Sequence, residues 1–166
     1  MPYFWFDMKL IKEILPYILI ILSIIIIRSF IITPVRVSGT SMNPTLKEGE
    51  ILILKKYDKS YERFDIVVVK HWDDKLIKRI IGLPGETIEY KNNKLYINGK
   101  ETKDVITNKT EDFAFEGKIP EGHYFVLGDN RKNSADSRNL GLFTKEDIEG
   151  TTTFALFPFE SFGFIE

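Results

Sequence analysis

Ser41 and Lys78 are the two side chains in this sequence best placed to do chemistry. Ser41 lies in Val37-Ser38-Gly39-Thr40-Ser41-Met42-Asn43-Pro44-Thr45-Leu46, and Lys78 in Leu76-Ile77-Lys78-Arg79-Ile80-Ile81-Gly82-Leu83-Pro84-Gly85. A serine hydroxyl attacks a carbonyl only when a base takes its proton, and a lysine held uncharged can be that base. Gly39 lets the backbone turn sharply ahead of Ser41, and such a turn can aim the Ser41 N–H at a developing oxyanion. The same residue types also make an ordinary polar turn. On a strand, Leu76, Lys78 and Ile80 share one face, and Ile77, Arg79 and Ile81 the other. If the Lys78 face is the core side, burial lowers the ammonium pKa and makes the amine competent. Arg79 carries the same ambiguity, so alternation does not choose, and a solvated strand lysine is the competing reading.

Other chemistries fit less well. The two histidines, His71 beside Trp72 and His123 before Tyr124, do not suit a Ser-His-acid triad and offer no metal-ligand spacing, so no metal site is expected. The absence of cysteine excludes a thiol nucleophile, a disulfide framework and a thiolate zinc site. A net charge of −1, with lysines and acids interleaved, gives no reason to expect a nucleic-acid partner. Asn108-Lys109-Thr110 is a lone glycosylation match in a lysine-rich stretch.

At 166 residues the chain supports one domain and an anchor. Residues 14–27 carry no charge, and the apolar run continues past Arg28 and Ser29 to Pro34. Counted through Thr33, it reaches the ~20 residues of a spanning helix, with Arg28 snorkelling to the interface and Pro16 in the first turn. A cleavable leader and a buried core helix are the rival readings. Against the leader, no small-x-small site follows; Phe30-Ile31-Ile32 is bulky. The expected organisation is a short cytoplasmic N-terminus over 1–13, a transmembrane anchor over 14–33 and an extracytoplasmic domain over 34–166. Lys9 and Lys12 favour an inside N-terminus, while Arg28 and Arg36 blunt that signal.

Beyond Pro34 the pattern predicts a mostly-β domain. Residues 50–55, 64–70 and 76–81 are short apolar runs rich in β-branched residues. Residues 87–90 and 94–97 flank an Asn92-Asn93 hairpin tip, and Asn98-Gly99 signals a second tight turn. Residues 100–121 read as a long loop or a rudimentary second subdomain. A strand over 124–127 leads into a polar loop over 128–138, and residues 151–165 suit a closing strand. Phe154, Phe157, Phe159 and Phe162 in that tail are expected either to pack in the core or to rest on lipid.

Taken in order, the apolar anchor, SGTSMNPTL, RFDIVVVK, IKRIIGLPGE and GDNRKNSADSR resemble the bacterial type I signal peptidases over essentially the whole chain. The short segment between Gly99 and Tyr124 is similar to that of the small, Gram-positive type. The resemblance implies a membrane-bound, single-pass serine endopeptidase with a β-barrel-like catalytic domain on the outer face of the cell membrane. It would remove signal peptides from exported preproteins after a small-x-small site. By match to the family motifs, Ser41 would be the nucleophile and Lys78 the general base, with Ser134 hydrogen-bonded to the lysine. Asp136 and Arg138 would form an ion pair supporting their loop, and Asp129 and Arg131 would be structural. Gly39 and Thr40 would lie at the oxyanion hole, and Met42 by the substrate cleft. Gly39 departs from the serine that many Gram-negative members carry, and Glu86 from the more frequent aspartate, a change read as a conservative surface one. The partners implied are preproteins and the lipid bilayer, with no cofactor; oligomeric state is left unassigned. The alternative is a catalytically inactive, membrane-tethered homologue that only binds peptides.

Overall fold

Aliphatic and β-branched runs separated by Gly, Pro and Asn turns set most of the strands of this computed structural model, which describes residues 8–30, 32–57 and 59–165. One helix precedes them, α1 (Met8–Phe30). The strands follow in order: β1 (Ile32–Arg36), β2 (Ile51–Lys55), β3 (Ile66–His71), β4 (Asp74–Gly82), β5 (Ile88–Lys91), β6 (Lys94–Ile97), β7 (Lys100–Thr102), β8 (Phe113–Ala114) and β9 (His123–Leu127). A single helical turn, α2 (Ser137–Leu140), comes next, then β10 (Phe143–Thr144), β11 (Ile148–Phe157) and β12 (Gly163–Phe164).

Two antiparallel sheets result. The larger runs β1-β2-β11-β3-β4-β9-β10, with β12 added to β11; the smaller runs β7-β6-β5-β8. The larger sheet is open, with β1 and β10 as its outer strands, so the expected barrel is not closed among the described residues. The stretch 100–121 contributes β7 and β8 to the smaller sheet, which packs against β9 through Phe113 and Phe125.

Aliphatic side chains fill both faces of the central strands. Val68 and Ile77 sit in a cluster with Val37, Leu46 and Leu52, while Val67 and Ile80 sit in another with Tyr124 and Val126. Every residue of β4 from Ile77 to Gly82 is therefore buried. This is why alternation could not choose between Lys78 and Arg79: a strand covered on both faces buries both.

Helix α1 is about 34 Å long at its normal rise. Its described side chains, 10 to 26, are all solvent-exposed. Among the described residues, no helix is long and apolar enough to cross a membrane. The chain before Met8 and the Lys9 and Arg28 side chains lie outside the described residues. The helix starts earlier than the apolar pattern suggests, so Pro16 is inside it rather than in its first turn. The apolar run also ends differently, because its last residues enter β1 rather than prolonging the helix. Periodicity cannot separate the two fates in a run so uniformly aliphatic.

The tail divides: Ala155 is buried in the core and Ile165 packs against it, while most of the rings face outward. Phe157, Phe159, Phe162 and Phe164 are 52–86% exposed, with Phe154 edge-on to Phe162 and Phe164.

Candidate active site

The turn before Ser41 is built on Gly39, whose φ of +79° is a region L side chains rarely adopt. Beyond it, residues 41–45 form consecutive turns closed by Leu46 N–H on Met42 O. Met42 is 1% exposed and packed in the core with Leu46 and Leu52, so it anchors this turn from beneath. A long apolar side chain beside a polar turn goes inward, and Met42 lies under the turn that carries Ser41. Gly39 and Thr40 are exposed and Ser41 half-buried.

Lys78 comes from the middle of β4, where it faces Val67 across the ladder. It is 2% exposed. Its Nζ donates to Ser41 Oγ at 2.8 Å and to Ile77 O at 3.0 Å. Burial pulls the ammonium from its ordinary 10.5 down to about 8, against the opposing pull of the Asp136 and Asp129 charges. A neutral amine with its nitrogen beside a serine hydroxyl can remove that proton.

The loop 128–138 wraps the same turn. Asn130 N–H donates to Ser41 O at 2.9 Å, and Asn130 Nδ2 to Thr40 O at 3.1 Å. A Cβ on Gly128 would stand 2.5 Å from Ser41 O and closer still to Ser134 Oγ, so only glycine lets the turn and the loop come this close. Three ion pairs hold the loop. Asp129, fully buried, takes two hydrogen bonds from Arg79, at 2.9 and 2.7 Å. Asp136 pairs with Arg138 at 2.8 Å, caps α2 and accepts from Gly128 N–H. Arg131, whose side chain is 0% exposed, donates to Asp104 at 2.6 Å, Tyr90 Oη at 2.7 Å and Thr110 Oγ1 at 3.0 Å. Ser134 Oγ is buried beside Gly128 and has no hydrogen-bond partner among the described residues, so the expected bond to Lys78 is not formed.

The sequence pattern of the family described as "Signal peptidase, peptidase S26" matches residues 8–157. The chain belongs to the signal peptidase family. It is 46% identical over 152 residues to signal peptidase I S of Bacillus subtilis strain 168, covering 81% of this chain and 82% of that one. It is 44% identical over 158 residues to a signal peptidase I of Bacillus amyloliquefaciens, covering 86% and 85%. Among solved structures it resembles a signal peptidase I from Enterococcus faecalis V583, with a TM-score of 0.50 and 38% identity, covering 55% of this chain and 96% of that one.

Several residues that build this signal peptidase site were missed by sequence reasoning. Asp104 and Tyr90 carried no motif, yet together they hold Arg131. Glu86 was read as a surface position, but its carboxylate pairs with Arg63 and accepts from Leu83 N–H at 2.8 Å, closing the turn after β4. A buried arginine demands a carboxylate, so Arg79 and Arg131, with the half-buried Arg63, were themselves the available signal. Sequence did not say which acid each would find.

Proposed function

We propose that Ser41 and Lys78 act as nucleophile and general base in this chain's reaction. The chain is a serine endopeptidase that removes signal peptides from preproteins. The observation that carries the proposed roles is the 2.8 Å approach of a buried, pKa-lowered Lys78 Nζ to Ser41 Oγ. Neutral Lys78 takes the Ser41 proton as Oγ bonds to the scissile carbonyl carbon. The oxyanion is met by the Ser41 N–H and the Thr40 hydroxyl, which accepts from Asn133 at 3.4 Å and keeps its own hydrogen free. The Lys78 ammonium then protonates the leaving amine, and the C–N bond breaks. A water molecule, deprotonated by the same lysine, hydrolyses the acyl-serine. Asp129, Arg131, Asp136 and Arg138 support the loop carrying Asn130, and no cofactor takes part.

The preprotein lies extended along a free strand edge, with small residues at −1 and −3 in shallow apolar pockets. Two features support this. β1 is an outer strand of the larger sheet. Residues 74–78 of β4 pair with β3 alone, because pairing with β9 begins at Arg79; the free edge thus leads to Lys78.

α1 serves as a single-pass anchor, with the β domain on the extracytoplasmic side. In support, the helix exposes Ile18, Leu19, Ile20, Ile21, Ile24 and Ile25 to solvent, a surface that lipid would cover. The rings of the C-terminal tail offer a further lipid contact.

The test is cleavage of a preprotein bearing an Ala-x-Ala site by the full chain in detergent, beside Ser41→Ala and Lys78→Ala. Cleavage by the wild type alone is expected. Equal cleavage by all three would remove the dyad, and failure of all three across several preproteins would favour the peptide-binding homologue.

A further inference from the structure

Strand register places an exposed tryptophan at the end of the sheet from which α1 departs. Ile32, the first residue of β1, pairs with Lys55 of β2, which pairs with Thr151 of β11, which pairs with Val67 of β3. From that level β3 runs on, away from Ile51 and Phe157, to His71, and the turn to β4 carries Trp72. The turn projects about 13 Å past the Ile32 level, four residues at strand rise. Trp72 is 90% exposed, touches His71 edge-on at 6.2 Å, and holds a φ of +55°, uncommon for so bulky a residue. Tyr57, 64% exposed, follows β2 at this same end.

The geometry points to this end as a lipid-interface contact, with Trp72 seated among the headgroups and Tyr57 beside it. The proposal rests on α1 being the membrane anchor. Indole and phenol rings prefer the interface because each pairs an apolar body with a hydrogen-bonding edge. At the Trp72 turn the ring and not charge makes the contact: Asp73 and Asp74 follow Trp72, and Glu149 lies 2.9 Å from Lys75 and 3.7 Å from Lys70, while the basic residues of this end, Lys55 and Lys56, precede Tyr57. Zwitterionic lipid suffices, and salt leaves the contact unchanged. A lipid footing here holds the free edge of residues 74–78, which begins at this turn, next to the layer from which a signal peptide emerges.

The chain has two tryptophans, so Trp5→Phe leaves Trp72 as its sole indole. The full-length variant is placed in phosphatidylcholine vesicles brominated either near the glycerol backbone or at the chain ends. Retention is checked separately by alkaline extraction. Bromines near the glycerol are expected to quench Trp72 several-fold more than chain-end bromines, with blue-shifted emission and no change at high salt. Retained protein whose Trp72 is quenched by aqueous iodide and not by brominated lipid overturns the footing and leaves the anchor standing. Protein released by alkali removes the anchor and the footing together. A blue shift seen only on adding preprotein would assign the ring to peptide and overturn the lipid contact.

Discussion

Lys78 is a costly residue to bury, and the cost has a pH signature. Its folded pKa of about 8 lies below the ordinary 10.5, so the unfolded chain binds more protons between those values and stability rises with pH across that window. Below pH 8 the fold bears the full penalty, roughly 3 kcal/mol for a shift of this size. Lys78→Met, which keeps the volume and discards the charge, is expected to abolish cleavage while raising Tm at neutral pH. Its advantage over wild type should shrink as pH climbs toward 10.5, measured by thermal melts across the range. The same pKa sets the rate: kcat/KM should climb tenfold per pH unit below about 8 and level off above it. A flat profile from pH 6 to 9 would mean that some other group takes the serine proton. Gly128 gives a second test. A methyl there meets Ser41 O and must displace the nucleophile's backbone, so Gly128→Ala should lower kcat by about 10²-fold. KM should change little, because the strand edges proposed for the substrate are untouched.

At the scale of elements, the smaller sheet grips the 128–138 loop through one side chain. Tyr90 from β5 and Asp104 after β7 grip Arg131, and Arg131 adjoins Asn130, whose N–H and side chain hold Ser41 and Thr40. Burial pushes the Tyr90 hydroxyl far above its usual range, so it remains a hydrogen-bond donor at every working pH. Asp104→Ala leaves a buried guanidinium without its carboxylate and should cost about 3–5 kcal/mol. Tyr90→Phe removes hydrogen bonds but little volume and should cost about 1–3 kcal/mol. Urea denaturation of both and of the double variant should show strong coupling; additive losses would mean that the two do not share Arg131. This grip also marks the limit of sequence reading. The strands around Ser41 and Lys78 were legible because β-branched runs are local signals, but the two residues stood out only through the family motifs, since turn chemistry and strand alternation left each with an ordinary reading. Asp104 was not legible, because its pairing with Arg131 spans 27 residues of sequence and depends on how two sheets meet. The inward turn of Met42 and the unpartnered Ser134 hydroxyl were equally hidden, since both follow from packing around the Ser41 turn.

For the molecule as a whole, the proposed anchor raises the question of how the β domain would meet a bilayer. The Trp72 turn and the phenylalanine tail lie toward opposite ends of β11: Phe157 pairs with Ile51, at the far end of β2 from Lys55. A domain standing on the Trp72 turn would leave the tail in water; one lying along the surface wets neither. Four rings at 52–86% exposure form an apolar patch of a kind soluble surfaces seldom keep, so the lying orientation is expected. It also brings the nucleophile near the surface, because Ile165 packs on the cluster that holds Met42, one residue from Ser41. A chain starting at residue 32 should then float with phosphatidylcholine vesicles, and Phe159→Ser with Phe164→Ser should release most of it. Both rings are exposed, so the substitutions should leave the unfolding free energy within about 1 kcal/mol of wild type. Equal flotation of variant and parent would mean that the domain stands on its Trp72 end, with Ser41 held farther from the bilayer and the preprotein reaching it by a longer extended segment.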